Sequence, residues 1–311
     1  GSANGWIYNP EAPELDSLMI KQFFGLMLGF SIIYILWKCN GTIFRSAAIP
    51  LYVCSLILLV LVLWFGEGAS ESDEVRRWLH IYGNTSIQPS EIMKVVLILV
   101  YGWYFDRFRK QLSHPLVLGG AFLIALIPII LVLKEPDLST TLVLCSIVFA
   151  CTFAAGVNKW VITAILALAA LGVYILYSDA VSPDPRFLND YQVDRILAWL
   201  NPEEYSLTLA YQSIRSRMAI GSGGLLGKGL FCNAGLVPVA TTDFIFGIIG
   251  EELGLLGGSF VILWIFLISG RVLSYALFTE NLFKRIIYAG TAVMIAFQSL
   301  VHIGVNLAVL P

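Results

Sequence analysis

Apolar runs of about 20 residues recur along most of this 311-residue chain and decide what it can fold into. A helix needs roughly 20 apolar residues to cross the hydrocarbon core of a bilayer. Eight candidates are present, at roughly 20–39, 47–66, 90–105, 115–133, 138–156, 160–178, 243–270 and 285–310. They are too long and too continuous for a transmembrane β-barrel, whose strands alternate over short segments. Composition agrees: 58% of residues are hydrophobic and 13% charged, against about 25% charged in an average soluble domain. A soluble enzyme, a disordered chain and a nucleic-acid-binding protein with its basic excess are thereby excluded. The expected fold is all-α, a polytopic α-helical integral membrane protein with eight spans. The third span is short and opens on the polar group QPSE, and the seventh carries Glu251 and Glu252.

The net charge of -2 says little, but its distribution orients the chain. Loops assigned alternately to two sides put Lys38, Arg45, Arg107, Arg109, Lys110, Lys159, Arg271, Lys284 and Arg285 on one of them. Only Asp106 and Glu280 oppose these nine cations there. The other side holds ten basic and nineteen acidic residues. The excess of Lys and Arg marks the first side as cytoplasmic. Residues 1–19 and the loops 67–89, 134–137 and 179–242 then lie outside. The five cysteines, Cys39, Cys54, Cys145, Cys151 and Cys232, have neither a disulfide framework nor zinc-site spacing.

The 179–242 loop is far longer than a simple connection. It carries Phe187, Tyr191, Ile196, Trp199 and Leu200, an amphipathic stretch from Ala210 to Ile220, and then a run of glycines. Short helices at the outer interface are expected within it.

Few polar residues interrupt or border the apolar runs, and each has two readings. Asp243 in TTDFIF is either a helix cap, together with Thr241 or Thr242, or a general base at the membrane surface. Glu251 and Glu252 lie roughly 12 Å further along the helix. They form an interhelical bond or ion pair, or line a polar path. Glu91 and Lys94 are spaced as an intrahelical pair behind Gln88, Pro89 and Ser90, with Ser90 or Ser86 as the cap. Arg77 and Lys94 together offer cations for a diphosphate head group, whereas Arg77 beside Trp78 is also ordinary interfacial anchoring. Pro136 and Asp137 suit a turn and a cap. Arg215 and Arg217 cannot share a helix face and read as solvated or interfacial. Gln298, His302 and Asn306 repeat every four residues, a stripe that glues helices more often than it relays protons.

Several stretches, taken in order, resemble the SEDS family (shape, elongation, division and sporulation), which includes RodA, FtsW and SpoVE. They are RRWLHIYGNTSIQPSEIMKV at 76–95, KEPDLSTTLVL at 134–144, YQVDRILAWLNP at 191–202, AIGSGGLLGKGL at 219–230, TDFIFGIIGEELGLLGG at 242–258 and IGVNLAVLP at 303–311. GKG at 227–229 is closer to RodA, IIGEELG and IGVNL closer to FtsW, and the balance leans to RodA. The likeness covers essentially the whole chain as a single transmembrane domain, with 179–242 as its large extracytoplasmic loop.

The resemblance implies a peptidoglycan glycosyltransferase, an inverting hexosyltransferase that polymerises lipid II on the outer face of the bacterial cytoplasmic membrane. It implies a class B penicillin-binding protein as partner, and lipid II and an undecaprenyl-diphosphate-linked glycan as substrates. The essential carboxylate maps to Asp243. Arg77, Glu91, Lys94 and Asp137 map to substrate-binding positions, with Arg215 and Arg217 as further candidates and Glu251, Glu252 and His302 as cavity or structural residues. A divalent cation such as Mg or Mn could share the work, although no metal-ligand spacing shows one. Rival readings are a lipid II flippase and a non-catalytic activator of the transpeptidase. The chain departs from the family's ten spans, since the PLPLxSYGGS signature and the first and last spans are not in it. Val239 follows Pro238 where Glu is usual, FCNAGLVPVAT is shorter than the family's loop, and Arg215 stands where Gln is usual.

Overall fold

The computed structural model describes residues 13–38, 41–66, 76–82, 85–182, 185–186, 188, 190–205, 210–232 and 243–310. The short FCNAGLVPVAT segment, with Val239, falls mostly outside them, as do Thr241 and Thr242. Every expected span is a helix: α1 (Pro13–Lys38), α2 (Gly41–Phe65), α3 (Pro89–Arg107), α4 (Pro115–Lys134), α5 (Leu138–Ala155), α6 (Lys159–Ala180), α9 (Ile245–Phe278) and α10 (Leu282–Asn306). Two shorter helices, α7 (Asp190–Leu200) and α8 (Tyr211–Ser222), lie in the long loop. A two-stranded antiparallel hairpin, β1 (Leu79–Tyr82) and β2 (Thr85–Ile87), precedes α3 and was not expected.

Six helices, α2, α4, α5, α6, α9 and α10, are long and apolar enough to cross a membrane. The described apolar part of α1, Gln22–Lys38, is shorter. α3 carries Glu91, Lys94, Asp106 and Arg107, yet it is the centre of the bundle, packed against α2, α5 and α10. Met93, Leu97, Tyr101 and Phe105 on α3 are buried with Leu144, Ile147 and Cys151 of α5 and Ile286 of α10. This charged span therefore lies inside the bundle, where protein groups rather than lipid surround its polar side chains. Close crossing needs small residues. A Cβ on Gly290 of α10 would stand 2.8 Å from the Cys151 sulfur and 2.9 Å from Ile98. α6, in contrast, buries only Asp179 and Ala180, at its end.

The bundle has two chemically distinct ends. At one, Arg45 pairs with Asp106 at 3.1 Å, and His114, Asn158 and Asn281 cap α4, α6 and α10 with their side chains. At the other, Asp179 closes the start of the long loop by accepting the backbone N–H groups of Arg186 and Leu188 at 2.9 and 3.0 Å.

α9 is not one continuous helix. Gly254 has φ 66° and ψ -164°, which breaks the helical path and which glycine alone adopts without steric cost. The glycine-rich segment after α8 fills the break. Lys228 and Gly229 donate their backbone N–H groups to the carbonyls of Glu251 and Glu252, both at 3.0 Å. Leu255 and Leu256 in turn donate to Gly224 and Leu225, at 2.9 and 3.2 Å. Backbone groups freed by the break are thus satisfied by protein, as they must be at membrane depth. The first part of α9, from Ile245 to Leu253, is a separate half-helix that starts beside Asp243.

Candidate active site

The non-basic end of the bundle holds a cavity of about 330 Å³. Its walls are Arg77 and Trp78 ahead of the hairpin, Gln88, Glu91 and Lys94 on α3, and Asp137, Ser139, Thr140 and Val143 at α5. Arg195 of α7, Gln212 of α8, Asp243 and Phe244 at α9, and Gln298, Val301, His302 and Val305 of α10 complete it. The expected residues Asp243, Arg77, Glu91, Lys94, Asp137 and His302 come together here, although they span more than 200 positions of sequence.

Each wall is fixed locally. Pro89 occupies the first turn of α3, where its missing N–H has no consequence. The cap is Gln88 and not Ser90 or Ser86. Gln88 makes no side-chain cap bond to α3, and Ser90 Oγ is buried with no hydrogen-bond partner among the described residues. Lys94 is 2% exposed. Its ammonium donates to Glu91 at 2.7 Å, the pair expected from spacing, and to Gln298 of α10 at 2.8 Å. Burial of a Lys is tolerated here because two oxygens solvate it.

Asp137 does cap α5. Its carboxylate accepts the Thr140 N–H at 3.0 Å and the Thr140 hydroxyl at 2.8 Å, and the Gln88 amide lies at 3.4 Å. Arg77 donates Nε–H to the Glu135 carbonyl at 3.1 Å and a second N–H to the Pro136 carbonyl, which ties the hairpin segment to the α4–α5 turn. Glu135 lies under that turn, 1% exposed, and neither carboxyl oxygen has a hydrogen-bond partner among the described residues. Burial pushes its pKa up to about 8, the Asp137 charge adds to the rise, and Arg77 opposes it.

Asp243 differs from Asp137. The N-cap of α9 is Phe244, with no side-chain cap bond, so the Asp243 carboxylate does not cap its own helix. It is an exposed side chain on the cavity wall. Its backbone carbonyl accepts from Asn306 of α10 at 2.9 Å.

Four expected residues stand elsewhere. Glu251 is fully buried and pairs with Lys228 at 2.6 Å, and neither it nor Glu252 lines the cavity, so the lining role gives way to an ion pair that braces the helix break. Arg215 stacks on Tyr211, 5.1 Å from the ring centroid, outside the cavity. Arg217 lines a smaller adjoining cavity of about 80 Å³, which shares Arg195, Gln212, Phe244 and Val305 with the larger one. A two-residue offset on α8 separates the two arginines onto different faces, as their spacing requires. Arg195 and Gln212 were not singled out from sequence. The signals available for Arg195 were its apolar neighbours on α7 and its place in the family-like stretch YQVDRILAWLNP at 191–202. Among the described residues, no three His, Cys, Asp or Glu side chains gather as a metal site would need.

Chemically, this cavity combines a carboxylate free of capping duty, a buried ammonium, two guanidinium groups and several amides. Such a set can take a proton from a hydroxyl and hold an anionic leaving group.

A family model described as "Cell cycle protein", covering FtsW, RodA and SpoVE, matches residues 10–311. The probable peptidoglycan glycosyltransferase FtsW of Trichlorobacter lovleyi is 32% identical over 92% of this chain and 72% of its own length. That of Escherichia coli O6:H1 is 31% identical over 92% of this chain and 68% of its own. A solved structure described as "Structural coordination of polymerization and crosslinking by a peptidoglycan synthase complex" aligns with TM-score 0.77 and 27% identity, covering 96% of this chain and 82% of that one. The rod shape determining protein RodA of Thermus thermophilus aligns with TM-score 0.62 and 26% identity, over 94% of this chain and 76% of that one. With the family model matched almost end to end and the same helical fold in its solved members, the chain belongs to the FtsW/RodA/SpoVE family of multi-pass membrane proteins.

Proposed function

We propose that this chain is a peptidoglycan glycosyltransferase that polymerises lipid II on the outer face of the bacterial cytoplasmic membrane. One observation carries the reading: Asp243 lines a polar cavity that also holds Arg77, Lys94 and Arg195, and it is not used to cap its own helix. The relatives named peptidoglycan glycosyltransferase support the reaction class. The cavity end faces outward, because the opposite end carries the Lys and Arg excess.

In this reaction the Asp243 carboxylate takes the proton from the 4-hydroxyl of the acceptor GlcNAc. The freed oxygen attacks C1 of the lipid-linked MurNAc at the end of the strand. The C1–O bond to the diphosphate breaks with inversion, and undecaprenyl diphosphate leaves with the electron pair. A base in place contributes about 10²–10⁴-fold. Arg77, Lys94 and Arg195 supply positive charge for the leaving diphosphate, and Asp137 and Glu91 hold the α5 turn and Lys94 in place. No step is routed through a metal. A class B penicillin-binding protein is the proposed partner, supported by the likeness to a complex that couples polymerisation to crosslinking.

The test uses the full-length protein with its transpeptidase and labelled lipid II, read as glycan ladders on a gel. The wild type forms moenomycin-resistant ladders, and Asp243→Ala forms none while remaining folded. Ladders from Asp243→Ala, or lipid II crossing vesicle membranes without polymer, would remove the assignment.

A further inference from the structure

Asn306, the last residue of α10, is 1% exposed, and its side-chain amide is completely used. Nδ2 donates to the Asp243 carbonyl at 2.9 Å and to the His302 carbonyl at 2.8 Å. Oδ1 accepts the Gly247 N–H at 3.0 Å and the Ser216 hydroxyl at 3.2 Å. An Asn has two donors and two lone pairs, so nothing is left over. The orientation of the amide follows from the same network, because a flipped amide would set its NH₂ against the Gly247 N–H.

These bonds meet a need of α9. The first N–H groups of a helix lack i−4 partners, Phe244 has no side-chain acceptor to offer, and the Gly247 N–H is shared between the Phe244 carbonyl and Asn306 Oδ1, both at 3.0 Å. Asn306 caps that turn from another helix. It grips the backbone on both sides of the turn, at the Asp243 carbonyl and at the Gly247 amide. Gly247 permits the approach, since a Cβ there would stand 2.6 Å from the Ser216 hydroxyl. Two turns earlier on the same α10 face, Gln298 holds Lys94. One helix face therefore holds both the Asp243 backbone and the Lys94 ammonium, from Asn306 and Gln298, which stand about 12 Å apart along its axis.

We infer that Asn306 is the positioning residue for Asp243: it sets the point from which the carboxylate enters the cavity, and does so through the backbone. The inference rests on the general-base reading of Asp243. It predicts a loss of turnover without a matching loss of substrate affinity, because Asn306 does not line the cavity.

The experiment measures lipid II polymerisation by the full-length protein with its transpeptidase. Asn306→Ala is compared with Asp243→Ala and with Tyr101→Phe. The last removes a buried hydrogen bond of 2.7 Å to Ala121, away from the cavity. Asn306→Ala is expected to lower kcat by roughly 10- to 100-fold with KM changed by less than about twofold, as a small misplacement of a reacting group does. Tyr101→Phe lowers the melting temperature but leaves kcat near wild type. Asn306→Asp keeps the volume and the accepting oxygen while losing the amide donors, so it gives the same split if Asn306→Ala does not fold. The inference fails if both Asn306 variants keep wild-type kcat while Asp243→Ala is inactive, or if their loss of kcat is matched by Tyr101→Phe. Polymerisation by Asp243→Ala would instead remove the general base itself.

Discussion

Asp137 and Asp243 show what a single residue's sequence context conceals. Both stand at a helix start and both admit a cap or a functional reading. Asp137 gives both carboxylate oxygens to Thr140, whereas Asp243 lies one residue ahead of the N-cap and gives none to its helix. The difference lies in backbone geometry at the cap, which residue type does not encode. Glu135 adds a titration that can be checked. An ordinary Glu carboxyl titrates near 4.5, and burial in the α4–α5 turn moves this one to about 8. Between those values the folded protein keeps a proton that the unfolded chain has lost. The contribution of Glu135 to stability is therefore greatest below pH 4.5, falls as pH rises towards 8 and levels beyond it, with a slope of up to about 1.4 kcal/mol per pH unit. Melting temperatures in detergent from pH 5 to 8 should decline for the wild type and stay level for Glu135→Gln. A wild-type profile parallel to the Glu135→Gln one would show that Glu135 is not the titrating group.

At the scale of elements, the spans were legible because helix length against bilayer thickness leaves little freedom, and all eight apolar runs are helices. The break in α9 was not. Glycine is common in transmembrane helices, so GEELGLLGG gives no sign of which glycine leaves the helical path. The glycine-rich segment that repairs the break pairs with α9 residues 23 to 31 positions away in sequence, so its pairing with α9 is tertiary. The same holds for the hairpin before α3, whose pairing no run of alternating residues announced. The Lys228–Glu251 pair at the break has a measurable consequence. Glu251 is fully buried and Lys228 partly so. Lys228→Met takes the ammonium at 2.6 Å away from the buried Glu251 carboxylate, and breaking a buried pair costs about 3–5 kcal/mol. Lys228→Met combined with Glu251→Gln removes both charges and should recover part of that loss. A melting temperature for Lys228→Met equal to wild type would mean that the pair does not brace the break.

For the whole molecule, polarity is the property that sequence and structure approach from different directions. The sequence separated basic from acidic loops by counting along the chain. The structure places Arg45, Asp106 and Asn281 together at one end and the cavity with Arg77, Asp137 and Asp243 at the other. The two partitions coincide: the Arg45–Asp106 pair lies at the end with the basic loops, and the cavity at the end with the acidic ones. On the proposed orientation, the Lys and Arg excess marks the cytoplasmic side and the cavity end faces outward. A probe at Arg109, in the turn after α3, should be shielded in intact cells, and one at Met218 on α8 should be open to the outside. With native cysteines replaced, a membrane-impermeant maleimide should label Met218→Cys in whole cells. It should label Arg109→Cys only after the membrane is permeabilised. The opposite pattern would put the cavity in the cytoplasm, where a carboxylate base at Asp243 would meet lipid II before it crosses the membrane, and polymerisation at the outer face would be untenable.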